Sequence, residues 1–221
     1  MKLLLKTLAA FVSGLLITGA MLFLPAGTWH YRGAWLFMAL LFTPILAVGV
    51  VLMVKNPELL RKRLEMKERE KTQQGVVALS GLLLVGSFIV AGLDHRFGWS
   101  QVSGAVVSVA SVALLVGYAL YAEVLRENTY LSRVVEVQEG QRVIDTGLYG
   151  VVRHPMYLAV TLLYLTIPLV LESWWALLVM APCILLLAAR IKNEEQVLHQ
   201  GLPGYTDYTK RVRYRMIPWV W

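Results

Sequence analysis

The chain has 221 residues, of which 57% are hydrophobic and only 16% charged, against roughly 45–50% and about 25% in ordinary globular domains. A soluble domain of this size could not bury so much apolar surface, and a mean hydropathy of +0.61 makes lipid the solvent for much of the chain. Disorder and collagen are excluded by the same figures, and a disulfide scaffold by the single cysteine, Cys183.

A helix that crosses a bilayer needs about 20 mostly apolar residues. Residues 3–24 supply the first, broken only by Lys6; no small-x-small cleavage site follows before Pro25, so the stretch reads as a retained span rather than a signal peptide. Residues 34–54 are uncharged and form the second. The stretch 55–71 then carries seven basic residues interleaved with Glu58, Glu65, Glu68 and Glu70. That pattern predicts a solvated amphipathic helix at an anionic leaflet, with membrane lipids as partners and no nucleic acid. Residues 76–93 and 104–125 are the third and fourth spans. Residues 156–171 and 174–189 are shorter and separated only by Glu172 and Ser173, either two short spans or a bent re-entrant pair. The expectation is an all-α integral membrane protein with six spanning helices, five being the alternative.

Orientation follows from the basic residues. With the N-terminus inside, 19 of the 21 Lys and Arg residues are cytoplasmic, leaving Arg32 and Arg96 outside. Trp29, Trp35, Trp99, Trp174 and Trp175 fall at the opposite, outer ends, as an aromatic belt would. Both signals put both termini in the cytoplasm.

Residues 1–125, including the basic loop 55–75, carry little chemistry. Gly14, Gly19, Gly104 and Ser108 read as small residues that let helices approach. His30 and His95 read as surface histidines of outer loops, and Cys183 as an inert buried thiol. No metal cluster, Walker loop, GxSxG or HExxH is present, and no internal repeat.

Polarity gathers in residues 126–221, which comprise a connector, a helical hairpin over 156–190 and an amphipathic tail. Thr146-Gly147-Leu148-Tyr149 is followed by Arg153-His154-Pro155-Met156-Tyr157. Pro155 suits a first helical turn, which sets Arg153 and His154 beside unsatisfied backbone N–H groups; a membrane-interface anchor is the bland alternative. Arg190 and Glu194 are four apart, so they share a helix face and could simply pair. Charges emerging directly from an apolar helix are also candidates for function. Gly204-Tyr205, Tyr208 and Arg211-Val212-Arg213 complete the tail.

In order and spacing these residues resemble the isoprenylcysteine carboxyl methyltransferase family, over about 40% of the chain from Val134 to the C-terminus. The resemblance implies an integral membrane enzyme of a prokaryotic cell membrane, with a cytosol-facing pocket. It would transfer a methyl group from S-adenosylmethionine to a lipophilic carboxylate, without a metal. Carried over by position, Gln141, Arg142, Val143, Ile144, Tyr149, His154, Pro155, Met156, Tyr157 and Glu194 would line the cofactor pocket. Arg190 would address the substrate carboxylate, and Arg153, His154, Arg190 and Glu194 would make up the catalytic set.

Three other readings compete. Related phospholipid N-methyltransferases take an amine, which arrives protonated and needs a base. Membrane sterol reductases share a similar C-terminal half that binds a nicotinamide nucleotide, whose phosphates call for several converging basic groups. A scaffold could keep the fold and lack activity.

Overall fold

The structure is a computed structural model that describes residues 2–55, 57–58, 60, 71–130 and 137–221. Its helices include α1 (Lys2–Ala26), α2 (Arg32–Lys55), α3 (Lys71–Phe97), α4 (Gly104–Glu127), α5 (Pro155–Val170), α6 (Trp174–Met180), α7 (Pro182–Gly201) and α8 (Tyr205–Arg211), with a 3-10 turn at Gly147–Gly150. No strand occurs among the described residues. Most of the amphipathic helix expected over 55–71, and Arg133, lie outside the described residues.

Among the described residues, five stretches are long and apolar enough to cross a membrane: Leu3–Ala26, Arg32–Lys55, Gln74–Phe97, Gly104–Glu127 and Trp174–Gly201. No more than 33% of the most apolar window of any of them is buried, so their apolar surface is left for lipid. The fifth expected span, over 156–171, is α5, whose 16 residues extend only about 24 Å at 1.5 Å per residue, short of a hydrocarbon core about 30 Å thick. The apolar stretch of the last span ends near residue 189, but its helix runs on, as a shared face for Arg190 and Glu194 requires. Ala181 is helical ahead of Pro182 (φ −51°, ψ −38°), and α7 carries the charged run from Arg190 on to Gly201. Hydropathy marks where a chain leaves lipid, and helical hydrogen bonding continues past that point.

The chain divides into two compact units. The first contains Met1–Lys67, Leu83–Ser111 and Thr166–Met180. Its polar centre is Asp94, which is 1% exposed and accepts from the Ser100 backbone N–H at 2.7 Å, the Ser100 hydroxyl at 2.6 Å and the Ser173 hydroxyl. A buried carboxylate persists only with such donors, and these bind the α3–α4 turn to the start of α6. The Tyr31 hydroxyl donates to the Leu171 carbonyl, and the Tyr31 ring stacks on exposed His95 at 4.1 Å. Close helix approach falls at Gly92, where a Cβ would lie 2.7 Å from the Leu22 carbonyl oxygen. It does not fall where the sequence suggested. Gly14 and Gly19 meet side chains at ordinary distances, Gly104 has nothing within 4 Å, and Ser108 donates to its own helix at the Gly104 carbonyl. A small residue permits close approach without compelling it. Trp29, Trp35, Trp99, Trp174 and Trp175 are all exposed, as expected of residues in contact with lipid.

The second unit contains Glu68–Leu82, Val112–Leu165 and Ala181–Trp221. Buried Tyr157, Leu187, Ile191 and Met216 form one core, with Tyr164, Ile217 and Trp221 packed against it. Leu202, Tyr205, Tyr208 and Val212 form another, covered by Val137, Val143 and Leu198. The C-terminal tail therefore belongs to the core of this unit, and all residues of the candidate site lie within it. Cys183 is buried here, as expected.

Candidate active site

The connector is fixed at the end of α4. Glu127 accepts the Thr146 hydroxyl at 2.7 Å through Oε1 and the Leu148 backbone N–H at 3.3 Å through Oε2. Between these contacts Gly147 adopts φ +49°, and a Cβ there would run into the Glu127 carboxylate. Glycine is required on both counts. The turn that follows buries Tyr149. Asn128 donates to the Tyr149 hydroxyl at 2.9 Å, and the Tyr208 hydroxyl donates to the Tyr149 carbonyl at 2.7 Å. Burial pushes the Tyr149 phenol up to about 12, so it remains protonated and can donate.

Arg153 and His154 run alongside the tail, their backbone N–H groups bonding the carbonyls of Tyr214 at 2.9 Å and Arg215 at 2.8 Å. Pro155, which has no N–H to satisfy, then opens α5. Glu195 completes this junction. Its Oε1 accepts from Arg153 Nε at 2.7 Å and lies 3.3 Å from His154 Nε2, while Oε2 accepts from Arg215 Nε at 2.7 Å. Arg153 Nη1 donates to the carbonyls of Val212 and Arg213 at 2.9 and 3.0 Å. Neighbouring residues on a helix differ by about 100° in direction, so Glu194 and Glu195 serve different surroundings.

Glu194 faces Tyr157. The Tyr157 hydroxyl donates to Glu194 Oε2 at 2.6 Å and accepts from Arg190 Nε at 2.9 Å. The two residues that share a face of α7 are thereby joined through a buried phenol from α5. Tyr157 and Arg190 are each at most 9% exposed, whereas the Glu194 side chain is 26% exposed.

These groups line one cavity, with about 840 Å³ of empty space including its open mouth. From the connector it takes Gln141, Arg142, Val143, Ile144 and Tyr149; from the start of α5, Arg153, His154, Met156 and Tyr157; and from α7, Arg190 and Glu194. Pro155 is not among the lining residues. Arg153 is, yet its donors serve Glu195 and the tail. The sequence reading did not single out Asn128, Tyr130, Val197, Leu198, Leu202, Tyr205 or Tyr208 as site residues, and all line the cavity. Continuing the Arg190–Glu194 face by three or four residues reaches Val197 and Leu198, so helical spacing carried that signal for those two. Nothing in the sequence marked Asn128.

A partly exposed carboxylate, two tyrosine rings and an arginine in a half-closed cavity can hold a ligand carrying both positive charge and hydrogen-bonding groups. Among the described residues, no group of three or more His, Cys, Asp or Glu residues could hold a metal ion. No curated protein matches the sequence. Residues 99–202, from just before α4 to just past α7, match the family model of phospholipid methyltransferases, which supports a membrane methyltransferase.

Proposed function

We propose that this protein transfers a methyl group from S-adenosylmethionine to a lipophilic, membrane-embedded carboxylate, in the manner of the isoprenylcysteine carboxyl methyltransferases it resembles. The observation that carries this reading is the Tyr157 hydroxyl held between Glu194 at 2.6 Å and Arg190 at 2.9 Å in one cavity. The donor set of the cavity fits the cofactor: aromatic faces for a cation, a carboxylate for hydroxyl or ammonium groups.

When bound, S-adenosylmethionine supplies an electrophilic methyl group on a sulfonium cation. Tyr149 and Tyr157 offer ring faces to that charge. Glu194 accepts hydrogen bonds from the cofactor, and Arg190 holds the acceptor carboxylate by a charge-assisted pair. A carboxylic acid has a reference pKa near 4, so the nucleophile arrives ionised and the site needs no general base. Glu195 is committed to Arg153 and Arg215, and this reading asks no base of it. What remains for the site is alignment and exclusion of water. Methylation removes the negative charge, which weakens the contact with Arg190 and favours release.

The match of residues 99–202 to phospholipid methyltransferases favours a second reading, methylation of a phospholipid amine. That acceptor must lose a proton first, and Glu194 and His154 are the groups that could take it. A nicotinamide reductase ranks lower: Arg153 is paired with Glu195, which leaves the cavity few basic groups for phosphates.

The acceptor is tested with radiolabelled S-adenosylmethionine and the protein in liposomes containing either N-acetyl-farnesylcysteine or phosphatidylethanolamine. Alkali-labile label on the prenylated carboxylate is expected. Alkali-stable label on phosphatidylethanolamine, with none on the carboxylate, would replace this reading by the second.

A further inference from the structure

Five tyrosines line the cavity: Tyr130, Tyr149, Tyr157, Tyr205 and Tyr208. The hydroxyls of four are bonded within the chain, to the Gly140 carbonyl, Asn128, Glu194 with Arg190, and the Tyr149 carbonyl respectively. Tyr205 differs. It is 4% exposed, and among the described residues its hydroxyl has no hydrogen-bond partner.

The ring is held where it is. His199 meets it edge-on with centroids 5.0 Å apart, Tyr208 lies at 5.7 Å, and Leu202 and Val212 complete the packing. Buried hydroxyls without a partner are rare in folded proteins, and each calls for an explanation. Burial, then the nearby charges of Glu195 and Glu194, raise the pKa of this phenol well above its ordinary value. At neutral pH it is therefore a donor that lacks an acceptor.

We propose that Tyr205 Oη donates a hydrogen bond to an acceptor atom of the adenosyl ligand, making Tyr205 a binding residue contributed by the tail. The inference rests on the cofactor assignment above and extends it to a residue with no internal work for its hydroxyl.

The test uses the full chain in detergent as wild type, Tyr205→Phe and Tyr208→Phe, with S-adenosylhomocysteine as the calorimetric probe and thermal unfolding without ligand as the second readout. Tyr205→Phe is expected to unfold at or above the wild-type temperature, since it removes an unsatisfied polar atom, while binding S-adenosylhomocysteine about threefold to tenfold more weakly. Tyr208→Phe, which loses a bond to the Tyr149 carbonyl, is expected to unfold at a lower temperature. Equal affinity of wild type and Tyr205→Phe would overturn the inference alone. So would a lower unfolding temperature or loss of folded protein in Tyr205→Phe, which would reveal a structural role. No binding by folded wild type would overturn the cofactor assignment and this inference with it.

Discussion

Arg153 and Glu195 form an ion pair at 2.7 Å in which the side chains are only 8% and 6% exposed. Such a pair adds little net stability over apolar residues of the same shape, but removing one partner strands the other charge. Here the pair also fixes the chain just before α5 to the tail, through the Arg153 contacts with Val212 and Arg213. Glu195→Ala is therefore expected to destabilise the protein by about 3–5 kcal/mol, read as a large fall in thermal unfolding temperature. The partly exposed neighbour gives the contrast: Glu194→Gln should shift that temperature far less.

Glu194 and Arg190 should divide their work. Glu194→Ala is expected to weaken S-adenosylmethionine binding by about tenfold or more, the worth of a charged hydrogen bond. Arg190→Ala should spare binding and depress turnover. Calorimetry together with a methyl-transfer assay separates the two effects, and equal loss of cofactor affinity in both variants would contradict the division.

Tyr157→Phe removes the hydroxyl that both residues share. Affinity and turnover should fall together in this variant, unlike either single change on α7. A Tyr157→Phe protein that matched wild type in both would make the bridge incidental.

Gly147→Ala meets two obstacles at once, a left-handed backbone and the Glu127 carboxylate. A side chain in that conformation costs about 1–3 kcal/mol, and relief by rotation of Glu127 would release Thr146 and Leu148. The expected outcome is a lower unfolding temperature together with weaker S-adenosylhomocysteine binding, because Tyr149 follows two residues later.

The topology is checked by cysteines placed at Arg32 and Arg96, with Cys183 buried and so a weak background. Membrane-impermeant thiol reagents should label both positions from outside intact cells. Labelling of either only after permeabilisation would reject the orientation drawn from the basic residues.

Hydropathy located the spans because lipid solvation is a property of each residue and its immediate neighbours. The placing of Arg190 and Glu194 on one face was equally legible, since helical spacing is local. What the sequence did not carry was contact across the chain. Glu127 is 20 residues from the glycine it abuts, and Tyr157 is more than 30 from the α7 residues it joins. Glu195 is the sequence neighbour of Glu194 and also lies near His154, as Glu194 does, and only its bonds with Arg153 and Arg215 distinguish it. In α7 the helix outlasts its apolar stretch, carrying the charged residues of the cavity beyond the end marked by hydropathy.

The central claim is that the second unit holds a cofactor pocket for methyl transfer. Calorimetric titration of S-adenosylmethionine, S-adenosylhomocysteine and NADPH into the detergent-purified protein tests it most directly. Saturable binding of the adenosyl ligands with none of NADPH is predicted. Binding of NADPH alone, or silence from all three in a sample with a cooperative unfolding transition, would contradict it.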